Sequence, residues 1–328
     1  MPKVLVELSG GVDSAVCALL LKNQGYELVG ACMDLHESVD AQGAKNICKQ
    51  LDIEFRLIEV RSEFTKNVID YFASEYRSAR TPNPCIMCNK TMKFGIMYDV
   101  AKDLACDFLA TGHYARIVDG HLYKATDTAK DQSYVLHFLT KEQLTKTLLP
   151  LGEYTKNQIR QLAKDANLSC AEAAESQDIC FCEDGKYADY IKDHYNYNFE
   201  PGDIVDEEGH VLGTHNGLIN YTIGQRKGLG VALGEPTYVC KLDSQKNQVI
   251  LGNVSTNTVH VKNFKWIEKP RKTCETKLRY RQKQIKCQTK TNNDIIELHF
   301  DEPITAPAPG QFAVLYEGDL VLGGGTIC

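Results

Sequence analysis

Short apolar runs alternate with amphipathic stretches along the first 110 residues of the chain. The apolar runs predict β-strands over residues 4–8, 27–33, 54–60 and 107–110, of which 27–33 has the pattern of a buried strand. The amphipathic stretches, in which apolar side chains recur at helical spacing, predict helices over residues 15–21, 41–51, 64–76 and 89–104. Strands and helices that alternate in this way predict an α/β fold, with a parallel sheet that carries helices on both faces.

The pattern of apolar positions changes after residue 130. Residues 130–200 are predicted to be mostly helical, and Thr155 is a suitable N-cap for a helix over residues 156–166. From Pro201 onward short β-rich runs are separated by turns, and residues 259–328 predict an antiparallel β-barrel. These changes divide the chain into three predicted domains, over residues 1–198, 199–258 and 259–328.

The composition limits where the protein works. No apolar run approaches the roughly 20 residues of a membrane span, and the first residues lack the pattern of a signal peptide. The 13 cysteines are odd in number and scattered, which favours free thiols in a reducing compartment. We therefore expect a cytoplasmic protein without a membrane partner. Cys17, Cys32 and Cys48 fall at apolar positions and are expected in the core.

The formal net charge of −6 hides a strongly basic segment. Residues 262–290, here called the basic stripe, contain eleven Lys or Arg and two acids, Glu268 and Glu275. A local concentration of positive charge can bind phosphate groups even on an acidic protein. A solvated, charged β-surface would show the same pattern, so the charge alone leaves both interpretations open.

The segment from Ser9 to Ser14, SGGVDS, lies between the first predicted strand and the first predicted helix. Its glycines let the backbone turn tightly and approach an anion, while the start of the helix supplies free N–H groups and a positive dipole. This order of elements predicts a phosphate-binding loop. The loop lacks the Gly-Lys-Ser/Thr ending of a Walker sequence.

A Cys-x-x-Cys pair, Cys85 and Cys88, follows two prolines and precedes the helix predicted over residues 89–104. The positive end of a helix lowers the pKa of a thiol, so this position predicts reactive thiolates. The pair alone is compatible with a redox couple, with half of a zinc site or with part of an iron–sulfur site. A zinc site would need a second pair, for which Cys180 and Cys182 are the candidates.

Ordered motifs extend over nearly the whole chain: SGGVDS (9–14), RTPNPCIMCNKTMKF (80–94), ATGHYAR (110–116), KDQSYVL (130–136), SQDICF (176–181), YTIGQRKGLG (221–230), LRYRQ (278–282), PGQFAVLY (309–316) and LGGG (322–325). With these motifs the chain resembles the tRNA-specific 2-thiouridylases, the MnmA family of pyrophosphate-loop (PP-loop) ATP pyrophosphatases. The resemblance implies a PP-loop catalytic domain with a helical tRNA-binding extension, a central β-rich domain and a basic, tRNA-binding C-terminal β-barrel. It also implies an enzyme that adenylates O2 of the wobble uridine (U34) in tRNAs for Lys, Glu and Gln, and then transfers sulfur to C2.

The resemblance assigns residues to each site. The ATP site maps to Glu7, Leu8, Ser9, Gly10, Gly11, Val12, Asp13, Ser14, Met33 and Gly112. Asp13 is the candidate ligand of Mg²⁺, which takes carboxylate and phosphate oxygens. The thiol opposite the activated base maps to Cys88, and the persulfide-carrying cysteine maps to Cys180. The tRNA contacts map to Asn83, Pro84, Cys85, His113, Lys130, Asp131, Gln132, Arg279, Tyr280 and Gln311.

Cys85 departs from the family pattern, because much of the family has Asp at this position. Without that carboxylate, Cys85, Cys88 and Cys180 resemble the three-cysteine site of related tRNA-thiolating PP-loop enzymes. There, three thiolates hold a [4Fe–4S] cluster and leave one iron free to deliver sulfide. We favour this cluster; the alternative is a persulfide on Cys180. The sulfur donor is sulfide or a cysteine desulfurase relay. Cys182 competes as the fourth ligand.

Two other functions compete with the sulfurtransferase. A different PP-loop synthetase, such as argininosuccinate synthase, would need neither the Cys-x-x-Cys pair nor the basic barrel. A zinc-stabilised RNA-binding protein would have no need of an intact SGGVDS loop. The sequence favours the sulfurtransferase because that function uses all three features.

Overall fold

The computed structural model describes residues 1–37, 39, 41–173, 179–182, 186–195, 197, 199–231 and 237–328. The chain divides into two compact units. Unit 1 comprises Met1–Val68, Cys85–Phe181 and Glu317–Leu322, and unit 2 comprises Ile69–Pro84, Cys182–Tyr316 and Gly323–Cys328. Each unit contains a hydrophobic core of its own.

Unit 1 is built on a parallel sheet. The strands of unit 1 are β1 (Lys3–Glu7), β2 (Glu27–Asp34), β3 (Glu54–Glu59), β4 (Phe108–Ala110), β5 (Ala115–Val118), β6 (His121–Lys124) and β7 (Thr147–Leu148). β5 and β6 form an antiparallel hairpin that is not part of the parallel sheet. The order across the sheet is β3-β2-β1-β4-β7, and each neighbouring pair is parallel. Val4, Leu5 and Val6 of the central strand are fully buried, as both faces of a parallel strand usually are. The predicted parallel sheet is confirmed.

Helices connect these strands. Numbered along the chain, they are α1 (Val12–Asn23), α2 (Ala41–Gln50), α3 (Arg61–Phe64), α4 (Asp70–Arg77, in unit 2), α5 (Pro84–Cys88), α6 (Met97–Asp103), α7 (Lys141–Thr145) and α8 (Lys156–Asp165). Apolar residues of α1, α2 and α8 form one core with β1 and β2, and Cys17, Cys32 and Cys48 lie in it as predicted. Thr155 caps α8 as predicted, and its side chain accepts a hydrogen bond from the amide of Gln158.

The cysteine-bearing helix starts earlier than predicted. Helix α5 begins at Pro84, so that Cys85 and Cys88 lie inside a helix and not before one. Proline suits a first helical position because its fixed φ and missing N–H cost nothing there. A π-helical segment, Asn89–Ile96, follows α5, and another, Thr65–Ile69, follows α3. Neither π-helical segment is predictable from the spacing of apolar residues.

Residues 130–200 are less helical than predicted. In the described part of this region the helical elements are two 3₁₀ turns (Ser133–Leu136 and Pro150–Glu153), α7, α8 and, in unit 2, α9 (Tyr187–Tyr195). Apolar side chains between them, such as Tyr134 and Leu151, are fully buried although the backbone there forms only short turns. Their apolar spacing therefore comes from tertiary burial of irregular backbone, and it was wrongly interpreted as the spacing of a helix.

The described residues contain no helix long and apolar enough to cross a membrane.

Unit 2 is mostly β-structure. Its strands are β8 (Gly202–Val205), β9 (Val211–His215), β10 (Tyr238–Asp243), β11 (Gln248–Gly252), β12 (Ser255–Trp266), β13 (Thr273–Lys277), β14 (Ile285–Asn292), β15 (Ile295–Thr305), β16 (Phe312–Glu317) and β17 (Leu320–Ile327). Glu317 of β16 and the first three residues of β17 belong to unit 1. The first four form a sheet in the order β10-β11-β8-β9. The others follow the order β12-β15-β14-β13-β16-β17, and pairing of β12 with β17 closes them into a barrel. The predicted C-terminal antiparallel barrel is confirmed.

Candidate active site

The SGGVDS loop connects β1 to α1 at the carboxyl end of the central strand. Gly10 has a φ of 82°, which favours glycine, and Gly11 is the N-cap of α1. The Ser14 hydroxyl accepts a hydrogen bond from the Ser9 amide (3.2 Å) and donates one to the Gly11 carbonyl (3.1 Å). These bonds hold a compact turn in front of α1, whose first N–H groups have no partner within the helix. This is the local geometry of an anion-binding loop.

Two other predicted ATP-site residues lie at the carboxyl ends of the two strands adjacent to β1. Gly112 follows β4, and a Cβ there would lie 2.8 Å from the backbone N of Ser14, so only glycine allows this approach. Met33 lies near the end of β2 and is buried. Because β2, β1 and β4 are neighbours, the loop, Met33 and Gly112 meet at one edge of the sheet. Ligands of open parallel sheets bind at this edge.

The Asp13 carboxylate is held by two residues that the sequence analysis missed. Lys156 Nζ lies 2.7 and 2.8 Å from its two oxygens, and the Tyr114 hydroxyl donates to Oδ1 at 2.8 Å. Lys156 is the first residue of α8 and is buried. Charge-assisted hydrogen bonds of this kind are short and strong. Asp13 is thus half of an ion pair, and a Mg²⁺ ion would share its carboxylate with Lys156.

One contact joins the end of β1 to the cysteine-bearing segment. Glu7, the last residue of β1, is buried, and its Oε2 lies 3.2 Å from Lys93 Nζ. Lys93 lies in the π-helical segment that directly follows Cys88. Burial lowers the pKa of Lys93, but the negative groups around it, Glu7 first, outweigh burial and raise the pKa. Lys93 therefore keeps its positive charge at neutral pH, beside the strand that leads into the phosphate-binding loop.

The structure brings Cys85, Cys88 and Cys180 together in unit 1. The thiols are close enough for charge on Cys85 and Cys180 to act on Cys88. The predicted low thiol pKa is wrong. Burial raises the pKa of Cys88 to about 12 and that of Cys180 to about 11, and it also raises the pKa of Cys85. Lys93 opposes this rise at each thiol but does not cancel it, because loss of solvation costs the thiolate more.

The segment around Cys180 forms a turn and not an extended strand. Phe181 anchors it, because its ring packs edge-on against Phe64 with centroids 5.8 Å apart. Although neighbouring groups desolvate all three thiols, residues Cys85 and Cys180 keep exposed surface, whereas Cys88 is half-buried. The residues Ser176, Gln177 and Asp178 of the SQDICF motif lie outside the described residues. Cys182, the competing ligand, belongs to unit 2 and is half-buried.

The three cysteines suit soft-metal or sulfur chemistry. A single tetrahedral zinc ion would need its ligand atoms close together. In the described ranges, three or more donor atoms within 4.8 Å of one another occur only at Asp206, Glu208 and His210, on the surface of unit 2. A cluster in which each thiolate binds a different iron does not need its thiols so close together, and neither does a persulfide. The described cysteines thus form no closed zinc site.

Several predicted tRNA contacts of unit 1 are buried. Burial lowers the pKa of His113 well below its usual value, so the ring is neutral. The buried Asp131 carboxylate accepts hydrogen bonds from backbone amides, and Gln132 Oε1 accepts one from the Tyr114 amide at 2.9 Å. Lys130 is half-buried. In this structure Asp131 and Gln132 hold their own loop in shape.

In unit 2, Gln311 supports the segment that leads into the base-facing turn. Its side-chain amide donates to the carbonyls of Thr81 (2.9 Å) and Pro82 (3.2 Å). The Thr81 amide in turn donates to the carbonyl of Pro309 at 2.8 Å. These bonds tie the backbone just before Asn83 and Pro84 to the start of the PGQFAVLY motif.

The predicted tRNA contacts on the barrel are at the surface. Arg279 and Tyr280 are exposed and lie between β13 and β14, in the basic stripe. The Arg279 guanidinium lies beside Gly224 of the YTIGQRKGLG motif, since a Cβ on that glycine would be 3.3 Å from Nη2. The exposed Arg281 follows in the same turn. The turn thus presents two guanidinium groups and a phenol to solvent.

Comparison with known proteins places the chain in a family. Residues 2–184 match the family described as "tRNA methyl transferase HUP domain", residues 188–253 the "tRNA methyl transferase PRC-barrel domain" and residues 256–327 the "Aminomethyltransferase beta-barrel domain". The "tRNA-specific 2-thiouridylase MnmA" of Lachnoclostridium phytofermentans is 41% identical, with 100% of this chain and 99% of that protein covered. The chain belongs to the tRNA-specific 2-thiouridylase family. A second member, "MnmA 2" of Clostridium tetani, is 42% identical over 99% of this chain and 98% of its own.

Among solved structures, a "4-thiouridine synthetase - RNA complex with bound ATP" is similar to part of the chain. It has 18% sequence identity and a TM-score of 0.40, and the match covers 55% of this chain and 44% of that chain. A likeness of this size carries no conclusion about function.

In this 2-thiouridylase chain the motifs did not identify Lys93, Lys156 and Tyr114 as site residues. Lys93 lies in the RTPNPCIMCNKTMKF motif, Lys156 follows the Thr155 cap and Tyr114 lies in the ATGHYAR motif. Only these positions could have suggested that the three residues belong to the site. Their partners, Glu7 and Asp13, are distant in sequence, and a single chain gives no sign of such contacts.

Proposed function

We propose that the protein is an ATP-dependent tRNA sulfurtransferase that makes 2-thiouridine at the wobble position. The observation that carries this proposal is the contact between Glu7 and Lys93. Through it, the strand that leads into the phosphate-binding loop touches the segment that bears the cysteines. Nucleotide activation and sulfur chemistry therefore have their residues within one unit.

In the activation step, ATP binds at the loop from Ser9 to Ser14 with Met33 and Gly112 beside it. Uridine O2 attacks the α-phosphate and pyrophosphate leaves. The N–H groups at the start of α1 and the ammonium of Lys156 offset the negative charge of the phosphates. Mg²⁺ suits the Asp13 carboxylate and the phosphate oxygens.

In the second step, sulfur bonds to C2 and AMP leaves with the electrons of the C2–O bond. Cys85, Cys88 and Cys180 would hold a [4Fe–4S] cluster, which supplies a free iron site for sulfide. The sulfur atom of sulfide already has the oxidation state of the thiocarbonyl sulfur in the product, so this route needs no reductant. Residues Cys85 and Cys180 keep surface exposed to solvent, which gives the sulfur source access to the site.

The persulfide route differs in its electron balance. The terminal sulfur of a Cys180 persulfide needs two electrons to become the thiocarbonyl of the product. The Cys88 thiol would supply them and end in a disulfide with Cys180, which an external dithiol then reduces. Both routes use the same cysteines, and the proximity of their thiols supports either.

The tRNA would be held by the exposed turn with Arg279 and Tyr280 and by the rest of the basic stripe. Arg fits phosphate oxygens in a fixed fork geometry, and the tyrosine ring can stack on a base. About 40% identity to tRNA-specific 2-thiouridylases over the full chain supports tRNA as the substrate. The set of tRNAs for Lys, Glu and Gln rests only on the resemblance of the motifs. This identity and the loop together disfavour a zinc-stabilised adaptor and other PP-loop synthetases.

One experiment tests the function and separates the routes. Protein purified without oxygen is incubated with ATP, Mg²⁺, unmodified tRNA and sulfide, and 2-thiouridine is measured by mass spectrometry of nucleosides. We expect 2-thiouridine, bound iron and an oxygen-sensitive visible absorption. Cys85→Ala, Cys88→Ala and Cys180→Ala should each lose iron and thiolation, whereas Cys106→Ala and Cys182→Ala should keep both.

Two other outcomes would contradict the cluster or the sulfurtransferase function. Equal turnover by iron-free protein that carries a persulfide on Cys180 would overturn the cluster and leave the persulfide route. No 2-thiouridine from either preparation, with tRNA still bound, would overturn the sulfurtransferase.

A further inference from the structure

Lys93 carries a fixed charge whose part in the reaction the proposed function leaves open. Its ammonium lies 3.2 Å from Glu7, and only 23% of its side chain is exposed. A lysine side chain normally samples many rotamers. Here the buried carboxylate at the end of β1 holds its tip in one place.

The π-helical winding of the Asn89–Ile96 segment determines where Lys93 lies. Its backbone bonds span five residues, as from the Met97 amide to the Met92 carbonyl. Residues five apart point to different sides of an α-helix, but the wider turn of a π-helix brings them much nearer to the same face. Lys93 follows Cys88 by five residues. The winding therefore puts the ammonium on the face of the helix that bears the Cys88 thiol.

A π-helical segment is rare and is frequently found at functional sites. Here it has a specific result, since ordinary α-helical winding would turn Lys93 away from Cys88. We infer that Lys93 stabilises the anionic sulfur that attacks C2, with Glu7 holding its ammonium in position. This inference rests on the proposed function and names a residue for its second step.

The charge balance of that step explains the need for a cation. The attacking sulfur is negative; as the C2–S bond forms and the C2–O bond breaks, AMP leaves with the electron pair and the charge. An anion in a partly desolvated site is costly unless a fixed opposite charge is near it. Without Lys93 the sulfur is held less well, and water hydrolyses the adenylated uridine instead. AMP is then released without thiolation.

The ratio of 2-thiouridine formed to AMP released tests this role. In single-turnover reactions we expect a ratio near one for the wild type, and a fall of about tenfold or more for Lys93→Met. Lys93→Arg keeps the charge and should recover most of the ratio. Damage to the fold alone would lower both products together and leave the ratio unchanged, so an unchanged ratio in Lys93→Met overturns the inference.

Two controls complete the test. Lys93→Met leaves Glu7 buried without its partner, which can destabilise the protein, so the double variant Lys93→Met/Glu7→Gln removes both charges. A low ratio in the double variant, at a wild-type unfolding temperature, supports the inference, whereas a restored ratio shows that Lys93 merely neutralises Glu7 and overturns it. Iron and persulfide contents are measured before turnover. A loss of either in Lys93→Met assigns Lys93 to sulfur loading and likewise overturns the proposed role.

Different results would contradict the role of Lys93 and the sulfurtransferase function. An unchanged ratio in Lys93→Met, beside normal thiolation by the wild type, removes only the role of Lys93. The absence of both AMP and 2-thiouridine from wild-type reactions removes the sulfurtransferase and the inference with it.

Discussion

Lys156 Nζ lies 2.7 Å from one carboxylate oxygen of Asp13 and 2.8 Å from the other. The pair joins the phosphate-binding loop to the first residue of α8, across 143 positions of sequence. Tyr114 completes the arrangement, since its hydroxyl donates to Asp13 and its ring lies 5.8 Å from the ammonium. The loop therefore carries a positive charge that SGGVDS itself does not contain.

Lys156→Met should lower the rate of adenylation by about a hundredfold, because the phosphates would then meet an unpaired Asp13 carboxylate. The measurement is ATP–pyrophosphate exchange in the presence of tRNA, with the tRNA dissociation constant as a check on folding. Lys164→Met, on the exposed last turn of α8, is the matched control and should leave exchange unchanged. Full exchange in Lys156→Met would contradict a role for the ion pair. Asp13→Ala should also abolish exchange and leave tRNA affinity largely intact.

Arg279→Ala and Arg281→Ala should each weaken tRNA binding and reduce its dependence on salt. Each lost phosphate contact lowers the slope of log affinity against log salt by about one unit or somewhat less. Filter binding over a range of salt concentrations gives this slope. Lys246→Ala, an exposed residue of unit 2 outside the basic stripe, is the control. If the slope stays constant in the arginine variants, the stripe is only a solvated surface.

Alkylation of Cys180 in iron-free protein should be slow at neutral pH and should accelerate up to high pH. Its pKa is raised to about 11, so each pH unit below that value removes about nine-tenths of the reactive thiolate. The rate of iodoacetamide labelling, followed by peptide mass spectrometry from pH 7 to 11, should rise about tenfold per unit. A small thiol of ordinary pKa, near 8.5, should level off earlier. A plateau near pH 7 for Cys180 would mean that the positive charge of Lys93 outweighs burial after all.

Gln311→Leu should slow thiolation more than it weakens tRNA binding. The substitution removes two hydrogen bonds that fix the carbonyls of Thr81 and Pro82, and the backbone before Asn83 becomes less ordered. Misplacement of a base-facing turn costs rate, by about tenfold or more, because the reacting atoms lose their alignment. The rate of 2-thiouridine formation and the dissociation constant are measured together. A loss of affinity at an unchanged rate would instead indicate direct contact of Gln311 with tRNA, and Gln245→Leu serves as the exposed control.

The elements with regular apolar spacing were predictable from the sequence. The helix over residues 41–51 is observed as Ala41–Gln50, because burial of one face dictates the pattern. The strand over residues 54–60 is observed as Glu54–Glu59, although it lies at the edge of the sheet and none of its residues is buried. The β5–β6 hairpin was missed although Asp119 and Gly120 signal it, and both have positive φ. The region around Tyr134 was predicted to be helical, because tertiary burial of irregular backbone leaves the same apolar spacing.

The sequence by itself determined the phosphate-binding loop, the parallel sheet around it, the C-terminal barrel and the identity of the three cysteines. Each of these follows from local patterns, since turn chemistry and strand or helix periods are written in neighbouring residues. Only the tertiary structure decided the pairing of Asp13 with Lys156 and of Glu7 with Lys93. It also decided the sign of the thiol pKa shift. Solvation and charge depend on every group that surrounds an atom, and most of those groups come from distant parts of the chain.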